Sequence, residues 1–585
     1  MSLLTPSELS QASDHLPSRP RKDLAAIGAL LVLVAFVWCA GWGMWSGRDW
    51  NQPTAYLDIR QSDVIGMLAV FKAARDGHQN PLFQKTVPEL GAPGQARWSA
   101  IPTIEEVPLY LTGVLARFTG IFAALNIKLL IGHLLAALTF YLVARYSKCS
   151  IPWAFVGGLA YGLAPYIFSE SPHHSIVAYV WHIPLFLVVW KWVSTSPGIA
   201  PLSRRFWLAV ALAFLTGLQN VYYTNIFCQI TLLGGVLLFL RERSRPALVS
   251  TFAIIGGSAA AFVLMNLDTW MYQISKQGAP FAIERQFKWL EIYALKLSDL
   301  FIPLSTHQSP AFRSFNLSHA QQIVLSNEGT YLGLIGIASL LLVFGIAAYR
   351  VIFRSPKPIP AEAWQILWIF AVFTTGGLNA ISGIFGLTLF RAGYRLSIVI
   401  LAIALLFAMQ QATKYFVSQH KRGFLVAIAL TLIVIWDQMP LLASQQERAQ
   451  RVLQVESDRD FAKSMEKALP DGAMIFQLPV MSFPEAPVPG ITPYEHFRPY
   501  LYSESLRYSF GVTKNDMETG WHSRLINLPL EKTIELLKNQ GFAAIYINRK
   551  GFPDQGAAIL KNLSEAGLTK TIESKAGDLV CVMIN

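Results

Sequence analysis

Long apolar segments recur through the first 440 residues and restrict the chain to a helical, membrane-embedded fold. A helix needs about 20 apolar residues to cross a bilayer. Only 14% of the residues are charged, against about 25% in soluble domains. By length and hydropathy we place eleven spans, giving a polytopic α-helical membrane protein. They lie near 24–45, 121–144, 152–168, 176–193, 206–222, 224–240, 247–266, 330–349, 364–380, 395–412 and 423–440.

The chain begins with a polar segment, residues 1–23, which is predicted to be a disordered cytoplasmic tail. Arg21 and Lys22 precede the first apolar run, as in a signal peptide. That run is long enough to cross the membrane and no small-residue cleavage site follows it. We therefore predict an uncleaved first helix. The span near 364–380 is expected to break at Gly376-Gly377.

The distribution of Lys and Arg predicts the orientation, because cytoplasmic loops are enriched in basic residues. With a cytoplasmic N-terminus, every short inside connection is basic, whereas 169–175 and 219–223 contain no Lys or Arg. Loops 46–120 and 267–329, and residues 441–585, then lie outside. In a bacterium this is the periplasmic side of the inner membrane. The net charge of +12 is explained by this topology and predicts no nucleic-acid partner.

Residues 441–585 are predicted to form a small periplasmic α/β domain after the transmembrane domain, 24–440. Apolar periodicity indicates helices at 447–469, 530–540 and 557–566. Strands are indicated at 473–480 and 543–548, with a hairpin at the C-terminus. The intervening Ser482–Tyr508 is predicted to be a surface loop.

Four of the acidic residues in the first external stretch, Tyr56–Tyr110, are candidates for function. Asp63 precedes an amphipathic segment, Val64–Arg75, and Asp58 lies five residues earlier. A carboxylate here could act as the general base that deprotonates an attacking hydroxyl. The alternative is that Asp63 caps the helix. Glu105 and Glu106 either complement a helix dipole or lie on the rim of the same cavity.

Histidines and arginines in other external segments are candidate ligands for phosphate. His173 and His174, in SESPHHS, could orient a phosphate, ligate a metal or act as an acid, or they could simply be exposed. Arg391 and Arg395 are four residues apart and would share one helical face. Guanidinium groups suit a lipid phosphate, although snorkelling to headgroups is the alternative. His307 is a further candidate for the cavity rim, in a loop that could include an interfacial helix.

Several short motifs give the chain a resemblance to a known superfamily. They are DIRQSD after the first span, NPLF followed by LGAPG, SAIPTIEEVPLYL, GLAPYIFSESPHH, FRAGYRLS and HFRPYLYSESLRYSFG. Together they resemble a bacterial family of integral membrane proteins in the GT-C glycosyltransferase superfamily. The resemblance implies a catalytic acid in the first external loop, which maps to Asp63, with Asp58 second. Many relatives have GD where this chain has Ser62-Asp63, and a paired DD, DE or ED where these acids are five apart.

The resemblance also implies transfer of a sugar from a polyprenyl-phosphate or polyprenyl-diphosphate donor to a glycan or lipid acceptor of the cell envelope. On this interpretation the arginines and histidines hold the donor phosphate while lipids surround the helices. Nothing in the sequence requires a cofactor, although a divalent cation such as Mg²⁺ or Mn²⁺ is compatible with the acidic residues. The alternatives are a flippase or transporter for a lipid-linked sugar, and a non-catalytic protein of envelope-glycan assembly.

Overall fold

The structure is a computed structural model that describes most of the chain. The described residues are 20–56, 63–80, 85–101, 105–171, 173–275, 285–322, 329–441, 444–484, 488–525 and 528–584. Asp58, one of the two candidate bases, lies outside them.

Helices dominate the region before residue 440. In chain order they are α1 (Pro20–Trp42), α2 (Gly47–Trp50), α3 (Asp63–Arg75), α4 (Glu106–Thr119), α5 (Ile121–Tyr146), α6 (Ile151–Gly162), α7 (Pro165–Glu170), α8 (Ile183–Ser194), α9 (Arg204–Gly217), α10 (Val221–Glu242), α11 (Arg245–Met265), α12 (Leu267–Ser275), α13 (Lys288–Ile292), α14 (Pro310–Gln322), α15 (Gly333–Ile352), α16 (Ala361–Phe373), α17 (Leu378–Ile384), α18 (Ser397–Tyr415) and α19 (His420–Gln438).

Seven stretches of the described chain are long and apolar enough to cross a membrane. They are α1, α5, α6 with α7, α10, α11, α15, and α18 with the short turn before it. The other four predicted spans also fall on helices, namely α8, α9, α16 and α19. Of these, α8 and α16 are apolar but shorter than 18 residues. The helical character of the region is confirmed, while eleven crossings remain a prediction.

Two of the predicted spans are interrupted, each for a local reason. α7 begins at Pro165, whose ring cannot donate the backbone hydrogen bond that would continue α6. The break predicted at Gly376-Gly377 is confirmed between α16 and α17. A Cβ on Gly377 would lie 2.7–2.9 Å from three carbonyl oxygens, so only glycine fits this turn.

α18 forms the centre of the membrane region and fixes the position of the residues at its N-terminal end. Its first half, Ser397–Leu405, is buried on all sides because every residue but the first is apolar. It packs against α5, α6, α8, α15 and α16. α5 and α6 approach closely because α6 presents glycines: a Cβ on Gly162 would lie 2.5 Å from Cβ of Ala137.

The C-terminal part contains a five-stranded sheet, as the sequence predicts in outline. It comprises α20 (Gln445–Ala468), β3 (Met474–Leu478), β4 (Arg507–Tyr508), α21 (Lys514–Thr519), α22 (Leu530–Asn539), β5 (Phe542–Asn548), α23 (Ala557–Glu565), β6 (Thr571–Glu573) and β7 (Leu579–Met583). The strand order is β4-β3-β5-β7-β6. The β3 strand runs parallel to both of its neighbours, and β5, β7 and β6 are antiparallel.

The predicted surface loop Ser482–Tyr508 is wrong for its second half. His496, Phe497, Arg498 and Tyr500 are at most 1% exposed. This segment packs between the sheet and α3, with the ring of Tyr494 lying directly over Gly66. The interpretation as a loop failed because the polar residues that suggested it satisfy one another inside the protein.

A short hairpin, β1 (Thr86–Val87) and β2 (Ala96–Arg97), joins the region between α3 and α4 to the C-terminal sheet. The backbone N–H of Tyr508 donates to the carbonyl of Glu89 at 2.7 Å, and that of Ala92 donates to the carbonyl of Tyr508 at 2.9 Å. These bonds extend the sheet beyond β4. The segment that follows Asp63 in the chain is therefore anchored on the C-terminal domain.

Candidate functional site

Asp63 is held at the first residue of α3 by the packing of that helix. Val64, Ile65 and Leu68 are almost fully buried. α3 lies directly against α4, where a Cβ on Gly113 would come within 2.2 Å of Cβ of Ala74. The helix therefore cannot slide or rotate without a clash. Its first carboxylate keeps a fixed position and remains 36% exposed.

Asp63, His174 and Glu170 form one hydrogen-bonded relay. The Nε2 atom of His174 donates to Oδ2 of Asp63 at 2.9 Å, and its Nδ1 donates to Oε2 of Glu170 at 3.1 Å. Burial alone would lower the pKa of His174, but the hydrogen bonds to Asp63 and Glu170 outweigh burial and raise it to about 9. The imidazole is therefore protonated at neutral pH and supplies one positive charge between two carboxylates.

The turn that carries His174 is fixed from both sides. Glu170 ends α7, and its carbonyl accepts a 2.8 Å hydrogen bond from the backbone N–H of His174. Lys128 of α5 is buried and donates to the carbonyl and hydroxyl oxygens of Ser175, at 2.8 and 3.1 Å. Because a buried ammonium must be satisfied, this contact holds the turn at one place along α5.

His173 and the relay provide a donor set that fits a divalent cation. The rings of His173 and His174 are 4.5 Å apart. One ligand atom from each of Glu170, His173 and His174 lies within 4.8 Å of the others. Burial and the neighbouring charge of His174 lower the pKa of His173 to about 4, so this ring is neutral. Its Nδ1 is a buried atom with no hydrogen-bond partner among the described residues, as expected of a ligand position.

Arg395 adds a positive charge beside the relay. It belongs to a short 3-10 turn, Gly393–Leu396, immediately before α18. Its guanidinium lies 5.0 Å from the ring of Tyr222 and 5.7 Å from that of Tyr394. It is close enough to Glu170 and Glu105 to interact with both electrostatically. Because its Nε has no partner among the described residues, this group can still donate to an anion.

Glu105 joins the same cluster from the other side. Its carboxylate accepts a hydrogen bond from the amide of Asn220, which caps α10. Burial raises the pKa of Glu105 to about 7, against the opposing effect of Arg395. Glu105 is therefore partly protonated at neutral pH, and it can give or take a proton there.

Arg391 does not share a helical face with Arg395, and that prediction is wrong. Arg391 lies before the 3-10 turn, which begins at Gly393 and includes Arg395. Its guanidinium lies about 6 Å from the rings of Trp289 and Tyr293, at 6.0 and 5.9 Å. The two arginines thus occupy separate aromatic environments.

The remaining predicted residues lie in other clusters. Glu106 is buried and pairs with Lys85, which also donates to Asp268 at 2.7 Å. His307 is buried and its Nε2 lies 3.4 Å from the carboxylate of Asp437. In the contacts of the described residues, neither Glu106 nor His307 meets the relay. The two adjacent glutamates, 105 and 106, thus face different partners.

Sequence reasoning missed Glu170, Lys128 and Asn220. The spacing of Glu170 and His174, four residues apart in SESPHHS, was an available signal for a shared helical turn. Lys128 is a lone cation inside an apolar run, which in membrane proteins usually marks a functional position. Asn220 directly precedes an apolar helix, where it could have been recognised as a cap.

Comparisons with known proteins returned matches among solved structures alone. No family model matches the chain, and no curated protein matches it. The oligosaccharyltransferase of Archaeoglobus fulgidus in its apo form is 12% identical with a TM-score of 0.42, over 89% of this chain and 69% of that one. AglB from the same archaeon, in complex with an inhibitory peptide and a dolichol-phosphate, is 13% identical with a TM-score of 0.45, over 94% and 74%.

The A. fulgidus enzyme in complex with Zn and sulfate gives 12% identity and a TM-score of 0.40, over 89% and 68% of the two chains. With TM-scores below 0.5, these likenesses are too weak to assign the fold or the activity of this chain.

Proposed function

We propose that the protein is a membrane glycosyltransferase that moves a sugar from a polyprenyl-phosphate or polyprenyl-diphosphate donor to a glycan or lipid acceptor of the cell envelope. The observation that carries the proposal is the Asp63–His174–Glu170 relay beside Arg395. It combines an accessible carboxylate with two cationic groups at one site. The motifs that resemble GT-C enzymes support the same function, as does the series of apolar helices.

Asp63 is the general base in this mechanism. It takes the proton of the acceptor hydroxyl as the oxygen attacks the anomeric carbon. A new glycosidic C–O bond forms, the bond between the anomeric carbon and the phosphate oxygen breaks, and polyprenyl phosphate leaves with the electron pair. This single displacement inverts the anomeric configuration. His174 orients the carboxylate, because both of its ring nitrogens are held by hydrogen bonds.

Arg395 binds the phosphate of the donor and stabilises the charge that develops on it as it leaves. Its stacking between Tyr222 and Tyr394 fixes the guanidinium plane. Arg391, held over Trp289 and Tyr293, is the second phosphate ligand that a diphosphate donor would need. The chemical argument for a lipid donor is independent: nucleotide sugars are strongly charged and cytoplasmic, whereas the predicted site faces the periplasm.

Glu170, His173 and His174 would hold a divalent cation, which supplies Lewis-acid stabilisation of the phosphate when bound. Two imidazoles and one carboxylate suit Mn²⁺ or Zn²⁺ better than Mg²⁺, which prefers oxygen ligands. A cation requires His174 to release a proton, so affinity for it rises with pH.

Reconstitution in liposomes tests the function. The purified protein is supplied with a panel of polyprenyl-phosphate hexoses and pentoses and with envelope glycans as acceptors. We expect transfer by the wild type, and a loss of 10²–10⁴-fold in Asp63→Asn, roughly the contribution of general-base catalysis. Asp471→Asn, an exposed aspartate of the C-terminal domain, is the matched control. Full activity of Asp63→Asn would remove this residue as the base, and lipid scrambling without transfer would instead indicate a flippase.

A further inference from the structure

A cleft of about 390 Å³ lies between the hairpin that follows α3 and the C-terminal domain, apart from the relay. Gly94, Gln95 and Arg97 line one wall, and Asp516, Trp521 and His522 line the other. Its volume falls in the range typical of small-molecule sites, roughly 300–1,000 Å³. The mechanism above uses none of these residues.

On the wall formed by the hairpin, successive side chains of the strand point to opposite faces. Ala96 and Trp98 are buried, so Arg97 between them points outward and is exposed. The indole N–H of Trp98 donates to the carbonyl of Gly511 at 3.2 Å, which ties this wall to the C-terminal domain. Arg97 is thus a charged group on a rigid support.

The opposite wall carries an aromatic platform. Trp521 is half-buried, with its ring centroid 5.2 Å from that of Phe542 and 5.9 Å from that of Phe476. Asp516 is fixed as well, since it accepts from the hydroxyl of Tyr272 at 3.3 Å. Burial lowers the pKa of His522 to about 4, so this ring is neutral. The charges of Arg97 and Asp516 then offset each other.

This lining fits a neutral carbohydrate better than a peptide. The half-buried indole of Trp521 offers a flat apolar surface for the C–H face of a sugar ring, while Arg97, Gln95 and Asp516 offer donors and acceptors for its hydroxyls. Of the nine lining residues, Val512 is the one aliphatic side chain. A cleft for apolar peptide side chains would be lined mainly by such residues.

We propose that this cleft binds a neutral oligosaccharide and serves as the docking site for the acceptor glycan. Arg97 lies eight positions before Glu105 (97 to 105), so the cleft and the cluster around the relay each include a residue from this part of the chain. An acceptor held here is placed on the same segment that forms the catalytic cavity. The acceptor role rests on the transferase function proposed above, whereas glycan binding itself does not.

Binding of the detergent-solubilised full chain to an array of neutral oligosaccharides, uronate-containing oligosaccharides and peptides tests the proposal without any turnover. We expect binding to neutral oligosaccharides, weakened at least tenfold in Trp521→Ala and Arg97→Ala. Gly94→Phe should block the cleft without disturbing the fold, because a Cβ at Gly94 meets a neighbouring atom no closer than 3.5 Å. Trp45→Phe, at an exposed tryptophan three residues after α1, and Asp63→Asn are the controls and should bind as the wild type does.

Glycan binding that survives both Gly94→Phe and Trp521→Ala would overturn the proposal. It would also be overturned if the wild type bound peptides alone or no neutral oligosaccharide. The two proposals can fail separately. If the wild type transfers no sugar but binds neutral oligosaccharides in this cleft, the transferase function is wrong and glycan binding holds.

Discussion

The hydroxyl of Tyr56 donates a 2.7 Å hydrogen bond to the carboxylate of Asp458, 402 positions away in the chain. Tyr56 precedes Asp63 by seven positions (56 to 63), and Asp458 lies on α20 of the C-terminal domain. Asp458 also accepts two hydrogen bonds from the fully buried Arg498, whose Nη2 lies 2.9 Å from Asp578. The segment that contains the candidate base is therefore fixed to the C-terminal domain on both sides of Asp63.

Arg498→Leu is expected to destabilise the protein strongly, because two buried carboxylates lose their cation. Breaking a buried ion pair from one side costs about 3–5 kcal/mol. Arg549→Leu removes a surface pair with Glu573, and exposed pairs of this kind contribute about 1 kcal/mol or less. Thermal unfolding of the two variants in the same detergent compares them. Equal losses would show that the Asp458–Arg498–Asp578 network contributes no more than a surface pair.

His174 makes both stability and activity sensitive to alkaline pH. Its pKa is raised to about 9 in the folded protein from an ordinary value of 6.5. Its stabilising contribution is therefore fully present below pH 6.5 and is lost as the pH rises through 9. With divalent cations removed by a chelator, we expect thermal stability and transfer to fall between pH 7.5 and about 9.5 in the wild type, and this alkaline loss to be much smaller in His174→Gln.

The matched control for that series is His420→Gln, since His420 is exposed at the start of α19. This variant should lose stability and activity at alkaline pH as the wild type does. If His174→Gln also shows the full alkaline loss, the titrating group is a residue other than His174.

Glu105 should also lose stability as the pH rises, but in a lower pH window than His174. Its pKa is raised to about 7, so the folded state binds more protons than the unfolded state between pH 4.5 and 7. Stability then decreases as the pH rises through that window. Glu105→Gln keeps an acceptor for Asn220 but cannot ionise, and it should be more stable than the wild type above pH 7 and similar to it below pH 4.5. Melting temperatures from pH 4 to 8 measure this, with the exposed Glu535→Gln as control. A constant difference across this range would contradict the assignment.

The parts of the fold that follow from periodicity could be predicted from the sequence. Each predicted span overlaps a helix, and the break at Gly376-Gly377 was readable because glycine is needed where a Cβ has no room. The strands β3 and β5 were predicted as well, because each is a short apolar run between turn residues.

The site was harder to predict, because its geometry depends on residues far apart in the chain. Asp63 and His174 could be named as candidates, but their 2.9 Å contact depends on where the fold places the start of α3 relative to the turn after α7. Arg391 and Arg395 appeared equivalent by spacing, and an irregular backbone before α18 separates them. Glu105 and Glu106 are neighbours in sequence, yet Glu105 precedes α4 with a non-helical backbone and Glu106 is the first residue of that helix, so each meets a different partner.

Lys85 provides a final test, because it is fully buried between two carboxylates. Lys85→Met leaves Glu106 and Asp268 without their cation, at a cost of about 3–5 kcal/mol for a pair broken from one side. Burial raises the pKa of Glu106 to about 7, so this carboxyl takes up a proton more easily as the pH falls. The cost of Lys85→Met should therefore be larger at pH 8 than at pH 5.5.

The double variant Lys85→Met with Glu106→Gln should recover part of the stability lost in Lys85→Met, because one buried charge has been removed with its partner. Chemical denaturation at both pH values measures the three proteins. A double variant less stable than Lys85→Met would show that Glu106 stabilises the fold by contacts other than this ion pair.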